Sequence, residues 1–282
     1  MEWLILDGKL QEAGGALFTA GNRSFRYGDG VFETMLVQHL RIRNSVEHGK
    51  RLMASLALLG FDVPRHFNWV YLEEEVSRLV ARQGHTLARV RLTVFRADGG
   101  LYDPADNRPH FVIESWPLPE EVLALNSNGL DLGIFPDARK STDVFSALKT
   151  NNALPYVMAA KYAKAQQWNE ALVLNTNGYI ADSSLANLFY FKNDVLHTPA
   201  PGQGAVAGTM AQALAQYAAV QGIKLVAHPV SVTDLQRADE VLLTNAIYGT
   251  RWVKSLGAHT YGCRRIAALH GHFLRFLNQL PG

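Results

Sequence analysis

The sequence predicts a mixed α/β protein in two lobes, and three observations carry that expectation. Its 282 residues exceed one domain of roughly 100–200 residues. Short apolar runs of strand character alternate with segments whose apolar residues recur at helical spacing. A polar, proline-bearing stretch, PLPEEVLALNSNG, separates the halves. The expected division is a small lobe over residues 1–118, a linker over 119–128 and a larger lobe over 129–282.

In the first lobe, WLILDGK and VFETMLVQHLRI read as strands, the second alternating apolar and polar residues over part of its length. Residues 46–60 place Val46, Leu52, Leu56 and Leu59 near one helical face, with Gly60 as the stop. Residues 70–83 repeat the pattern. ARVRLTVFR (88–96) and HFVIESW (110–116) are two further strands, separated by the turn-rich ADGGLYDPADNRP. The second lobe reads as strand LDLGIF, a helix over 153–167, then strands EALVLN, LANLFYF and VLHTP divided by the turns TNG and KND. A glycine-rich loop, a helix over 209–221, strands IKLVAH and EVLLTN, and a terminal helix near 264–278 complete it.

Hydrophobic residues at 48% and charged residues at 18% describe an ordinary globular chain with ample core material. A net charge of +2 gives no reason to expect a nucleic-acid or membrane-surface partner. The single cysteine, Cys263, cannot form an internal disulfide and fits a reducing compartment. MEWLILDGKL has neither the basic region nor the apolar run of a signal peptide, and no window reaches about 18 apolar residues. A cytoplasmic location is expected. The ten histidines are scattered, and the nearest pair, His270 and His272, has no cysteine or carboxylate at ligand spacing, so no metal site is expected.

Four features could carry chemistry. Lys149, in SALKTNNALPYVMAAK (146–161), precedes two asparagines and a helix. An amine held in a dry pocket condenses with an aldehyde and moves protons when free. The loop APGQGAVAG (200–208) opens a helix at Thr209-Met210, where backbone N–H groups and the helix dipole favour a phosphate. Its spacing is neither a dinucleotide fingerprint nor a Walker loop, so a single phosphate is the better match. Arg51 lies on the first helix, and a guanidinium matches phosphate with two parallel hydrogen bonds. Asp182, in NTNGYIADSSLANLF (175–189), has the charge to keep a proton on a ring nitrogen. Each feature alone also has a commonplace structural reading, as a solvated side chain, a cap or a turn.

Taken in order, these stretches resemble the class IV aminotransferase family, fold-type IV enzymes that use pyridoxal phosphate. RSFRYGDGVFET, EHGKRLMASLALLG, RLTVFRADGG, LKTNNALPYVMA, EALVLNTNGYIADSSLANLFYF, AVAGTMAQAL and ADEVLLTNAIYG are similar to successive family blocks. The resemblance implies a small α/β lobe with a larger pseudo-barrel lobe and the cofactor between them. It also implies a homodimer with each site near the interface. It assigns the cofactor's covalent bond to Lys149 and its ring nitrogen to Asp182. The phosphate falls to Arg51, Thr209, Met210 and the turn at Asn245-Ala246. Two positions depart from the pattern: Asp182 replaces a glutamate, and Ala211 replaces an arginine after the helix start.

Within the family, TNAI (244–247) and Met210 resemble aminodeoxychorismate lyases, and Phe32 stands where D-amino acid aminotransferases usually have tyrosine. The leading expectation is an aminodeoxychorismate lyase serving 4-aminobenzoate and folate synthesis. The alternatives are an aminotransferase acting on branched-chain or other amino acids, and an inactive cofactor-binding relative. Arg26, Phe32, Arg91 and Arg96 are the candidates for contact with a small amino substrate. The odd separation of Arg91 and Arg96 in one strand expects opposite faces, so at most one serves.

Overall fold

The computed structural model describes residues 2–280. They form two units, one of residues 2–120 with 148–153, the other of residues 121–147 with 154–280. The lysine segment therefore belongs to the first unit although its chain neighbours belong to the second.

Among the described residues of the first unit, six strands form one antiparallel sheet: β1 (Trp3–Leu6), β2 (Lys9–Glu12), β3 (Gly30–Gln38), β4 (Arg41–Ile42), β5 (Leu87–Arg96) and β6 (Pro109–Pro117). Their order is β2-β1-β6-β5-β3-β4. Helices α1 (Arg23–Tyr27), α2 (Ser45–Leu58) and α3 (Trp69–Gln83) accompany it. The sheet alternates with period two. Val31, Met35, Val90, Leu92 and Val94 turn to one face and share a core with Leu52 and Leu56 of α2 and Leu72, Val76 and Leu79 of α3. Asn68 caps α3 by accepting from the Tyr71 N–H, and Gly84 ends it at φ 69°.

Two expectations need correction here. VFETMLVQHLRI is not one strand: His39 and Leu40 adopt φ 49° and 64°, and this two-residue turn folds β4 back on β3. Val46 is 38% exposed. The inward stripe of α2 begins instead with Ser45, His48 and Gly49, because it meets a buried carboxylate of β3.

The expected linker also does work for the second unit. Asn126 accepts the Trp252 backbone N–H at 2.9 Å and donates to the Trp252 carbonyl at 3.0 Å, mimicking a strand partner. The second unit then runs β7 (Leu130–Lys140), α4 (Leu154–Ala165), β8 (Glu170–Asn175), β9 (Ile180–Ser183), β10 (Asn187–Lys192), β11 (Val195–Pro199) and α5 (Thr209–Val220). It continues with β12 (Leu225–His228), α6 (Val232–Gln236), β13 (Glu240–Asn245), β14 (Gly249–Leu256), β15 (His259–Thr260) and α7 (Arg264–Gln279). The sheet order is β12-β11-β10-β13-β14-β7-β8-β9, with β15 on β14. The sheet curls so that β9 returns against β10 and β11 and Ile180 bridges Val230, which gives the pseudo-barrel. Alternation along β10 divides the cores: Leu188 and Tyr190 join Leu172 and Val241, whereas Phe189 and Phe191 pack under α5 and α7. His270 is a structural residue, held by Thr250 Oγ1 at 2.7 Å and the Leu123 carbonyl at 3.1 Å. Among the described residues, no helix is long and apolar enough to cross a membrane.

Candidate active site

In the second unit the chemistry gathers around β9. Asp182 is buried, and its Oδ2 accepts from the Tyr156 hydroxyl of α4 at 2.7 Å and from the Val206 N–H at 3.0 Å. Lys140, at the end of β7, brings its Nζ to 3.7 Å from the same oxygen. That ammonium also donates to the Tyr156 oxygen and, at 3.3 Å, to the Ser146 carbonyl. Burial pushes the Tyr156 phenol well above its ordinary range, and the Asp182 charge adds to the effect, so Tyr156 remains a donor at neutral pH. Burial pushes Lys140 down, and Asp182 and Asp143 oppose it.

The glycine-rich loop is fastened to this carboxylate. Val206 donates to Asp182 and accepts from Asn187 Nδ2 at 2.8 Å, and the Ala207 N–H donates to the Ala147 carbonyl at 2.9 Å. At Gly208 an added Cβ would lie 1.8 Å from Asn187 Oδ1, so a larger residue would displace the Asn187 amide that donates to Val206. Gly208 then caps α5 with extended backbone, φ −69° and ψ 128°, and without a side-chain cap. Thr209 and Met210 are buried, and the Met210 side chain packs with Leu214 and Phe273, so only the backbone N–H of this residue is placed to meet an anion at the helix start. Asn245 likewise turns its side chain onto its own turn, accepting from the N–H groups of Ile247 at 3.1 Å and Tyr248 at 3.0 Å. A buried carboxylate is thus held in fixed register with a helix N-terminus. That donor set fits a group with a basic ring nitrogen at one end and a phosphate at the other.

In the first unit, residues 149–151 add to the open edge of β3. The Phe32 N–H donates to the Lys149 carbonyl and the Asn151 N–H to the Gly30 carbonyl, both at 2.9 Å. Lys149 Nζ lies 4.5 Å from the Phe32 ring centre, and the Arg91 guanidinium lies 3.7 Å from the same centre. Of the predicted site residues, Phe32, Arg91 and Lys149 are brought together. Arg96 is not among them. β5 pairs without interruption to β3 and β6, so Arg96 turns away from the Arg91 face. There its guanidinium binds Asp29, Asn107 and the Leu59 carbonyl. Arg26 is also apart, an exposed side chain donating to the Ala20 carbonyl at 2.7 Å.

Sequence reasoning missed Glu33. It points from β3 towards α2, where Arg51 Nε donates to its Oε1 at 2.8 Å and His48 Nδ1 to its Oε2 at 2.6 Å. The Arg51 NH2 group also pairs with Oε2. Burial alone would raise the Glu33 carboxyl, but the neighbouring Arg51 and His48 prevail and hold it at about 2. Burial pushes the His48 ring down, so at neutral pH it acts as a neutral donor and Arg51 supplies the charge. The signal was the alternation of β3: a glutamate beside Phe32 must face the helix side. Lys140 was missed because it lies in the polar run DARKSTD, which reads as surface.

The family model described as amino-transferase class IV matches residues 30–256, which include every predicted site residue except Arg26. The chain belongs to the class IV aminotransferase family. Among class IV relatives, an aminodeoxychorismate lyase of Vibrio harveyi is 27% identical over 241 residues, 84% of this chain and 87% of that protein. A putative branched-chain-amino-acid aminotransferase of Methanocaldococcus jannaschii is 29% identical over 248 residues, 86% and 83% of the two chains. The crystal structure of a branched-chain aminotransferase from Thermoproteus uzoniensis with norvaline superposes with a TM-score of 0.90 at 22% identity, covering 99% of this chain and 95% of that one. The class IV fold expected from the sequence is the fold observed.

Proposed function

We propose that this class IV protein is a pyridoxal-phosphate enzyme that converts 4-amino-4-deoxychorismate to 4-aminobenzoate and pyruvate. The observation that carries the lyase reading is the Phe32 ring within reach of both Lys149 and Arg91. It offers a flat apolar wall beside the reacting amine, without a tyrosine hydroxyl, and one guanidinium for a carboxylate. The lyase-like Met210 and Asn245-Ala246, and the Vibrio relative, support the same choice.

Lys149 would hold the cofactor by its aldehyde carbon. Arg51, the backbone at Thr209 and Met210, and the turn at Asn245-Ala246 would bind its phosphate, and Asp182 would keep a proton on its ring nitrogen. The bound cofactor supplies an electron-accepting ring that stabilises negative charge on the carbon bearing nitrogen. The freed Lys149 amine takes the proton from that carbon. The electron pair of the broken C–H bond completes the aromatic ring as the C–O bond to the side chain breaks. Enolpyruvate leaves with that oxygen and regains a proton as pyruvate, so atoms and charge balance. Arg91 orients a substrate carboxylate.

The Methanocaldococcus relative favours a second reading, an aminotransferase acting on branched-chain or other amino acids, in which Lys149 redelivers the proton and a keto acid is released. One experiment separates them. The loaded protein is given aminodeoxychorismate and, in parallel, a panel of amino donors. Equimolar 4-aminobenzoate and pyruvate are expected. A keto acid from one donor, with no 4-aminobenzoate, would establish the aminotransferase instead.

A cytoplasmic homodimer goes with this reading. α4 exposes Leu154, Val157 and Met158 on one stripe, at the i, i+3 and i+4 spacing of a single helix face, and a second copy of the chain would cover them. Light scattering on the purified protein is expected to give twice the 31.2 kDa chain mass. A monomer at micromolar concentration would remove the homodimer from the account.

A further inference from the structure

One buried cation has no part in the mechanism above. Lys140 keeps its ammonium inside the second unit, where lysines are rare unless paired. The groups that face it are Asp182 from β9, Tyr156 from α4, and Asp143 and the Ser146 carbonyl from the segment after β7. The hydrogen bonds run in one direction: Lys140 donates to the Tyr156 oxygen, and the Tyr156 hydroxyl donates to Asp182 Oδ2. Together with Val206, three groups therefore converge on one oxygen, which fixes the rotation of the carboxylate. A buried carboxylate without a counter-charge takes up a proton, and a neutral acid cannot stabilise a ring cation.

We propose that Lys140 is a positioning residue that, through Tyr156, aims the Asp182 carboxylate and keeps it ionised for the cofactor's ring nitrogen. The proposal rests on the cofactor reading of Asp182 given above. Lys140 does not itself bond the cofactor. It also answers the departure noted in the sequence: a side chain one methylene shorter than glutamate is held in place by a lysine and a tyrosine.

The test compares Lys140→Met, which keeps the stem and removes the charge, with Lys140→Arg, which keeps the charge. In the cofactor-free protein, carbon-13 NMR follows the titration of Asp182, assigned with Asp182→Asn. Lys140→Met is expected to raise the midpoint by a pH unit or more, a tenfold rise in proton affinity, and Lys140→Arg to stay near the parent. In the loaded enzyme, Lys140→Met is expected to lower kcat about tenfold, as loss of an outer partner of a reacting group does. KM should stay within twofold, with most of kcat recovered in Lys140→Arg. An unmoved midpoint in Lys140→Met, or equal loss in both variants, overturns the proposal. Should Lys140→Met fail to fold, Tyr156→Phe retains every charge and is expected to raise the midpoint less; no rise would overturn the proposal. The titration needs no substrate, so a shifted midpoint in a protein that forms no 4-aminobenzoate sinks the lyase reading and leaves the Lys140–Asp182 link standing.

Discussion

Lys149→Ala is expected to lower turnover about 10⁴-fold, the upper range for loss of a positioned acid–base group, and to remove the absorbance of covalently held cofactor. Folding should survive, because the segment is held by its backbone. The Phe32 N–H still donates to the carbonyl at position 149, and Asn151 still bonds Gly30 and, through its side chain, Ser24. Added primary amines are expected to restore part of the rate, since the missing function is a free amine. Spectral titration with pyridoxal phosphate and steady-state assay check both statements. A variant that keeps substantial activity would remove Lys149 from the chemistry.

Glu33→Gln is the variant with the largest expected effect on stability. It removes the carboxylate charge that pairs with the buried Arg51 guanidinium and disturbs the His48 hydrogen bond. Removing one partner of a buried pair costs about 3–5 kcal/mol, which for a chain of this size is a fall of about 10 °C in melting temperature. The pH dependence has a defined sign. Glu33 is held at about 2 in the folded protein against an ordinary 4.5, so its contribution is complete above 4.5 and is lost as pH falls towards 2. His48, pushed down by burial, loses its contribution in the same direction, as pH falls below its ordinary 6.5. Urea unfolding of the parent should therefore weaken by about 2 kcal/mol from Glu33 alone between pH 5 and pH 3. The variant lacks that loss. Parallel curves for the two proteins over this range would contradict the assigned network.

What was legible in the sequence was mostly local. The strand-loop-helix of 195–220 announces itself through the glycines at 202, 204 and 208 between a strand and a helix, and at Gly208 the space beside Asn187 is narrow. Lys149 and Asp182 stand out in the sequence because their blocks carry the family's order of residues. The turn at His39-Leu40 was hidden because neither residue is usual at positive φ, so VFETMLVQHLRI read as continuous. β9 was hidden because four residues between a turn and another strand leave no period to count.

The remaining misses are tertiary. Lys140 is buried because β7 runs on past Pro136 and, after an irregularity, pairs Arg139 and Lys140 with the end of β8. No pattern within DARKSTD carries that register. Glu33 needed α2 opposite it, and Arg96 needed Asp29 and Asn107 brought from distant turns. Side-chain type suggested that each arginine binds an anion. Only the register of β5 separates Arg91, beside Phe32, from Arg96, which closes loops.

The most direct measurement is chemical capture. The protein is loaded with pyridoxal phosphate, reduced with borohydride, digested, and its peptides weighed. A phosphopyridoxyl group on Lys149 is the predicted result. The same group on Lys140 or any other lysine, or on none, would contradict the account at its centre.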